Sequence, residues 1–252
     1  MQENAVTTKQ KFLNSFSSFL TTRGKLLLLF FIVLILAIIG IAIYSEIKAS
    51  IIDKSTILFE EVEERYSTEF SKFNKTHSNN DVYIANEAHS HDDDSDDQEK
   101  MEVMESILSS LDDIIAKYSK YYAGQRALYM KGEIYFSDKQ YDKAAESYSA
   151  FADKYKKSYL APISLHNAAV SYEELGDNDS AISNYKKILD FHTDNYPNIP
   201  HVLFSLGRLY EAKEDFKTAL EYYNMVSDKH ADSDWTNFSK NRIIYLKGTG
   251  KI

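Results

Sequence analysis

Apolar and polar positions alternate along this chain in three distinct ways. Residues 26–45 carry no charge and are mostly Leu, Ile, Phe and Val. A helix of that length spans about 30 Å, the thickness of bilayer hydrocarbon, so a transmembrane helix is expected over 25–46. Upstream, Phe12, Leu13, Phe16, Phe19 and Leu20 recur at helical spacing among Ser and Asn. That pattern fits a short interfacial helix or an unstructured tail equally well. Downstream, Ile51, Ile52, Leu58, Phe59, Val62, Tyr66 and Phe70 predict a helix over 50–73, and Met101, Met104, Ile107, Leu108, Leu111, Ile114 and Ile115 predict another over 98–118. Between them, 75–100 loses the period and contains His89-Ser-His-Asp-Asp-Asp-Ser-Asp-Asp. A block of like charge is normally solvated and disordered.

After residue 120 the periodicity itself repeats. Gly132, Ala169 and Gly207 are 37 and then 38 residues apart. Each precedes a tyrosine by three (Tyr135, Tyr172, Tyr210) and an alanine by twelve (Ala144, Ala181, Ala219), and a further tyrosine follows each alanine by four (Tyr148, Tyr185, Tyr223). Two antiparallel helices approach most closely where both carry a small residue, and the tyrosines fill the space around that contact. One such hairpin cannot bury its own apolar face, so hairpins stack into a solenoid. Leu128, Leu165 and Leu203 stand four residues before the first small position. This register resembles the tetratricopeptide repeat (TPR). The resemblance implies an all-α chain: a single N-terminal transmembrane helix followed by a TPR-type solenoid of helical hairpins.

The turns inside the repeats fall at Ser137–Gln140, Gly176–Asp179 and Ala212–Asp215. Only the second has Gly to supply positive φ, with Asp beside it to cap the following helix. Pro162 and Pro200 should open the first helices of repeats two and three, where a missing N–H costs nothing. The surplus over the common 34-residue period is assigned to Lys156–Leu160 and Thr193–Ile199. Stepping back 37 residues from Ala144 and Tyr148 reaches Ile107 and Leu111. The expected order is therefore 1–24 N-terminal segment, 25–46 membrane helix, 47–120 a degenerate first repeat interrupted by 75–100, three repeats at 125–158, 162–196 and 200–232, and 233–252 a capping helix with a fraying tail. The polar residues Lys240, Asn241, Arg242 and Lys247 suit the outer face of that cap.

Charge adds direction. The chain carries −9, the first 25 residues +3, and residues 46–252 therefore −12. The positive-inside rule puts the N-terminus in the cytoplasm and the repeats outside it. The acidity of the remainder argues against nucleic acid and anionic lipid as partners. There is no cysteine, which excludes a lipoprotein anchor and disulfide staples.

Candidate chemistry is sparse. His77, His89 and His91 lie near Asp92, Asp93, Asp94, Asp96 and Asp97. His89, His91 and Asp93 are weak candidates for a divalent metal, and an EF-hand is excluded by the missing Gly and Glu. No nucleophile motif or phosphate loop is present, so neither catalysis nor a cofactor is expected. The TPR resemblance instead implies a groove lined by the first helix of each hairpin. It offers Arg126, Tyr129, Glu133 and Phe136 in repeat one, Ile163, His166, Val170 and Glu173 in repeat two, and His201, Phe204, Arg208 and Glu211 in repeat three. Of these, Phe136, Val170 and Ile163 suit packed core equally well. The Lys and Asn of the carboxylate clamp found in some TPR proteins are replaced by Tyr129 and Glu133.

In layout, the basic N-terminus, single span and acidic degenerate repeats are similar to YfgM-like ancillary subunits of the SecYEG translocon. That likeness implies a bacterial inner-membrane protein with a periplasmic TPR domain, and translocon subunits, a periplasmic chaperone or nascent chains as partners. An organiser of outer-membrane assembly or of cell-wall or division machinery is the alternative, and a metal-responsive regulator a third reading.

Overall fold

The computed structural model describes residues 8–80, 93–191 and 196–252, with side chains omitted at 8, 9, 20, 73–80 and 93–97. The described residues are helical and contain no strand: α1 (Thr8–Asn80), α2 (Asp93–Tyr118), α3 (Tyr122–Ser137), α4 (Tyr141–Lys154), α5 (Ala161–Glu174), α6 (Asn178–Phe191), α7 (Ile199–Ala212), α8 (Phe216–Lys229) and α9 (Asp234–Gly248). They form two compact units, Met1–Lys54 and Ser55–Ile252.

The first unit is the N-terminal part of α1. From Thr21 this helix is long and apolar enough to cross a membrane, and none of its most apolar window is buried. Leu28, Leu36 and Ile41 are among its exposed side chains. Helix begins at Thr8, so the candidate interfacial segment at Phe12–Leu20 is continuous with the apolar stretch.

The second unit is a stack of antiparallel hairpins, α3 on α4, α5 on α6 and α7 on α8, ending in α9. Each hairpin closes where a small residue meets a ring. A Cβ added to Gly132 would lie 2.7 Å from the Tyr148 ring, and one added to Gly207 would lie 2.5 Å from the Tyr223 ring. Neither contact leaves room for a methyl group. Ala144, Ala169, Ala181 and Ala219 are fully buried.

The three internal turns share one backbone. Lys139, Gly176 and Glu214 sit at φ 59°, 75° and 60°, each at the same place in its repeat. The two Gly-free turns thus use the left-handed conformation that glycine adopts freely and other residues at a cost. Asp177 accepts from the Ser180 N–H at 3.1 Å and Asp215 from the Thr218 N–H at 3.1 Å, capping α6 and α8. Pro162 and Pro200 stand in the first turns of α5 and α7. The assigned surplus at Lys156–Leu160 is the α4–α5 connection, and part of Thr193–Ile199 lies outside the described residues.

Upstream of the hairpins, α2 packs on α3. Phe59 of α1 joins Ile107, Leu111 and Ile114 of α2 and Ala123, Ala127, Met130 and Ile134 of α3 in one core. Of the stretch 75–100, where a break is expected, the described parts are helical, because α1 persists to Asn80 and α2 starts at Asp93; residues 81–92 lie outside the described residues. An acidic run is compatible with helix when it falls at the N-terminus, where the helix dipole favours negative charge.

The tail corrects another expectation. Gly250, at φ 66°, lets the chain turn back, and the Lys251 N–H donates to the Leu246 carbonyl at 3.0 Å. Lys251 also sits over the Phe216 ring at 4.7 Å. The end of α9 is closed through Lys251 rather than frayed. The cap differs too: Arg242, expected on the outer polar face, turns inward to Glu211.

Candidate partner-binding face

Side chains of the first helices α3, α5 and α7 meet from repeat to repeat, Asn167 with Tyr129 and Arg208 with Glu173, and their predicted groove residues fall into columns at fixed offsets from Gly132, Ala169 and Gly207. The residues three positions before Gly132, Ala169 and Gly207 are Tyr129, His166 and Phe204. Tyr129 is buried against the Tyr148 and Phe151 rings, at 5.5 and 5.8 Å between centroids, and its hydroxyl accepts from Asn167 at 3.0 Å. Burial pushes that hydroxyl up to about 12. His166 is 9% exposed and packs on Tyr185, Tyr196 and His201. Among the described residues its Nδ1 has no hydrogen-bond partner, and burial, with His201 adding to it, lowers its pKa to about 4. These two residues are therefore core, not lining. Spacing gives the face on which a residue stands but not what covers it.

Arg126 is also covered. It lies over the Phe59 ring at 5.7 Å and pairs with Glu63 at 3.3 Å, both on α1. Glu133, two turns on, is exposed. Desolvation raises its carboxyl above the usual range, with Arg126 pulling the other way. Phe136 packs on Tyr141 at the hairpin turn.

In the later repeats the predicted charges are spoken for. Glu173 accepts from the Tyr185 hydroxyl at 3.0 Å and from Arg208 of the next repeat. Glu211 repeats the arrangement: it accepts from the Tyr223 hydroxyl at 2.9 Å and holds Arg242 of α9 through both carboxylate oxygens. Burial first, and the neighbouring carboxylate second, raises the Tyr185 and Tyr223 hydroxyls. A Tyr–Glu–Arg tie thus joins repeat two to repeat three, and repeat three to α9.

Beside these ties stands an aromatic shelf. His201 stacks on Trp235 at 4.1 Å, and Phe204 lies 5.1 Å from Trp235 and 6.1 Å from Phe238. Burial lowers the His201 pKa, Glu173 raising it in part. Phe238 is 54% exposed. The shelf brings predicted His201 and Phe204 together with Trp235 and Phe238, which the groove prediction missed. Their signal was available: Phe204 to Phe238 and Arg208 to Arg242 are both steps of 34 residues, so α9 continues the first-helix columns. Ile163 and Val170 are half-buried.

The weak metal candidates His89 and His91 lie outside the described residues, as do the side chains of His77 and Asp93. Among the described residues, no group of three or more His, Cys, Asp or Glu side chains is placed to hold a metal ion.

Two family models, both described as tetratricopeptide repeat, match residues 126–158 and 160–228. These are tetratricopeptide repeats. A curated relative, a TPR repeat-containing protein of Treponema pallidum (strain Nichols), is 27% identical over 118 residues. The match covers 47% of this chain and 48% of that protein, so the chain spans about half the length of the curated relative it matches. Among solved structures, a kinesin-light-chain-like protein of Podosopora anserina with nearly identical TPR-like repeats is 14% identical, at TM-score 0.46, covering 60% of this chain and 82% of that one. The apo form of RapI is also 14% identical, at TM-score 0.49, covering 76% of this chain and 54% of its own. TPR hairpins are a protein–protein interaction scaffold, and the aromatic shelf with its flanking charges suits a polypeptide partner.

Proposed function

We propose that this TPR protein is a single-pass membrane scaffold whose repeats stand on the extracytoplasmic face of a bacterial inner membrane and bind proteins there. The observation that carries the reading is the uncharged, exposed helix at 26–45, preceded by Arg23 and Lys25 and followed by the repeat unit. A basic flank on one side of a span is the usual orientation signal. The service that best fits the layout is help to secreted or envelope proteins as they leave a SecYEG-type translocon, with a translocon subunit, periplasmic chaperone or nascent chain as partner.

The partner-facing residues under this reading are Glu133, His201, Phe204 and Arg208, together with Trp235 and Phe238. Tyr129, His166, Arg126 and Glu173 serve by shaping the face from behind. Cross-linking of the full chain in mild detergent, followed by mass spectrometry, tests the reading. Translocon subunits or periplasmic chaperones should be recovered. Recovery of outer-membrane assembly, cell-wall or division proteins in their place would transfer the scaffold to that machinery.

A further inference from the structure

The repeat unit is acidic as a whole, but one of its ends is not. The α2–α3 and α4–α5 connections meet there: the Tyr155 hydroxyl donates to the Ser119 carbonyl at 2.8 Å, and a hydrogen bond with Tyr159 raises the Tyr122 hydroxyl. Lys120, Lys156 and Lys157 project from these connections and Lys154 from the last turn of α4, all exposed. Tyr122 and Tyr159 are 55% and 67% exposed. Of the carboxylates nearby, Asp113 pairs with Lys117 at 3.6 Å, Asp153 with Lys187 at 3.8 Å and Glu63 with Arg126 at 3.3 Å, while Glu61 lines the same pocket as Lys117.

The polypeptide enters the repeat unit at this same end. Leu58 and Val62 line one pocket with Lys117 and Tyr118 at the end of α2. Farther along α1, Tyr66 and Phe70 lie against Lys100, Val103 and Met104 near the start of α2. The two segments are therefore antiparallel, and Ser55, where the unit begins, lies toward the lysines. Only residues 46–54 separate it from the uncharged stretch. Nine residues in any conformation reach at most about 30 Å.

We infer that this lysine and tyrosine end of the repeat unit binds the anionic headgroups of the membrane that holds residues 26–45. Lysine supplies charge to an anionic surface, and tyrosine settles at headgroup depth with its ring toward the acyl chains and its hydroxyl in water. The chain's short reach keeps that end near the surface, so weak contacts count. Overall acidity argued against anionic lipid as a partner, but it averages over an end with the opposite sign. The inference rests on the membrane-anchor reading.

The absence of cysteine makes the test direct. A fluorophore placed at Ser158→Cys, and a control at Asp138→Cys in the α3–α4 turn, would be followed in the full chain reconstituted into phosphatidylcholine vesicles with and without phosphatidylglycerol. Both vesicle types carry a headgroup-level nitroxide lipid. Quenching at 158 should exceed that at 138, rise when phosphatidylglycerol is present, and be lost in 1 M salt, where screening acts within about 3 Å. It should also be lost in the Lys156→Glu/Lys157→Glu variant. Equal quenching at both positions, or no response to phosphatidylglycerol, overturns the inference and leaves the anchor standing. Failure of the unlabelled chain to float with neutral vesicles overturns both.

Discussion

The first repeat and the two that follow close the same hairpin but finish its inner face differently. In repeats two and three the residue four past the small position is Glu173 or Glu211, and it ties its own tyrosine to Arg208 of the next hairpin or Arg242 of α9. In repeat one that residue is Phe136, and Tyr148 packs edge-on against Tyr129 instead. At that end, coverage comes from α1, through Phe59 and the Arg126–Glu63 pair. Inner-face charge in this solenoid therefore serves mainly to join neighbours. A residue on the groove face can be structural, and surface left over for recognition lies with the aromatic shelf.

The largest break in the comparison is to remove the ring that the repeats share. Tyr223 is fully buried, holds Glu211 and fills the space beside Gly207. Tyr223→Ala should cost about 3–5 kcal/mol, in the range of large aromatic truncations, read as a lower urea midpoint. It also releases the Glu211–Arg242 tie, so protection from hydrogen exchange should fall in α9 before it falls in α3. Equal loss in both helices would mean that the tie does not join α9 to the stack.

Next in size is a pH effect confined to the later repeats. Burial lowers His166 from the usual 6.5 to about 4, so folding favours its neutral form. The stabilisation is fully present above 6.5 and is lost as pH falls toward 4, by up to about 3 kcal/mol. The charged or titratable groups around it are His201, Tyr185 and Tyr196, with Glu173 and Arg208 acting on His201. In His166→Phe, urea midpoints measured between pH 6.5 and 4 should lose most of this slope. A slope unchanged by the substitution would assign the acid sensitivity to other groups.

Close approach gives a middle-sized test. Gly207→Ala forces a methyl against the Tyr223 ring, which has nowhere to go, and should destabilise by about 1–3 kcal/mol. Gly132→Ala should behave alike, whereas repeat two already carries a methyl at Ala169. A thermal scan showing no shift for either glycine variant would break the equivalence of the three hairpins.

The turns reverse the sign. Lys139 and Glu214 adopt the left-handed backbone that Gly176 adopts without strain. Lys139→Gly should therefore be neutral or stabilising, by up to about 1 kcal/mol, although glycine in a helix or strand normally weakens a protein. Chemical denaturation settles it, and a clear loss of stability would show that the lysine stem contributes more than its backbone strain removes.

The repeats were legible because their signal is local and periodic: small residue, tyrosine, alanine and tyrosine at set steps, with proline and aspartate marking helix starts. The span was legible from length and lack of charge alone. The site was less so. Tyr129 and His166 stand in the right column but are buried by rings from Phe151, Tyr185 and Tyr196, which come from other helices and turns. Arg126 is covered by a segment more than sixty residues away in sequence. Trp235 and Phe238 were missed because α9 reads as a terminal cap by its polar residues, although it continues the columns of α7. Faces and register follow from spacing, whereas burial follows from what the rest of the chain lays over them.

The smallest expected effect on stability sharpens the comparison most. Phe238 is more than half exposed at the edge of the shelf and makes no tie between repeats. Phe238→Ala should change stability by no more than about 0.5 kcal/mol, as for surface substitutions elsewhere. If the shelf is the working surface of the scaffold, the same variant should lose most of the partner cross-links recovered with the wild-type chain. Tyr135→Ala serves as the reference, since its half-buried ring belongs to the first repeat and lies away from the shelf, beside Lys131 and Lys143. Retention of the full cross-link pattern by Phe238→Ala, with loss in Tyr135→Ala, would move recognition to the first repeat and away from the end where α9 continues the groove.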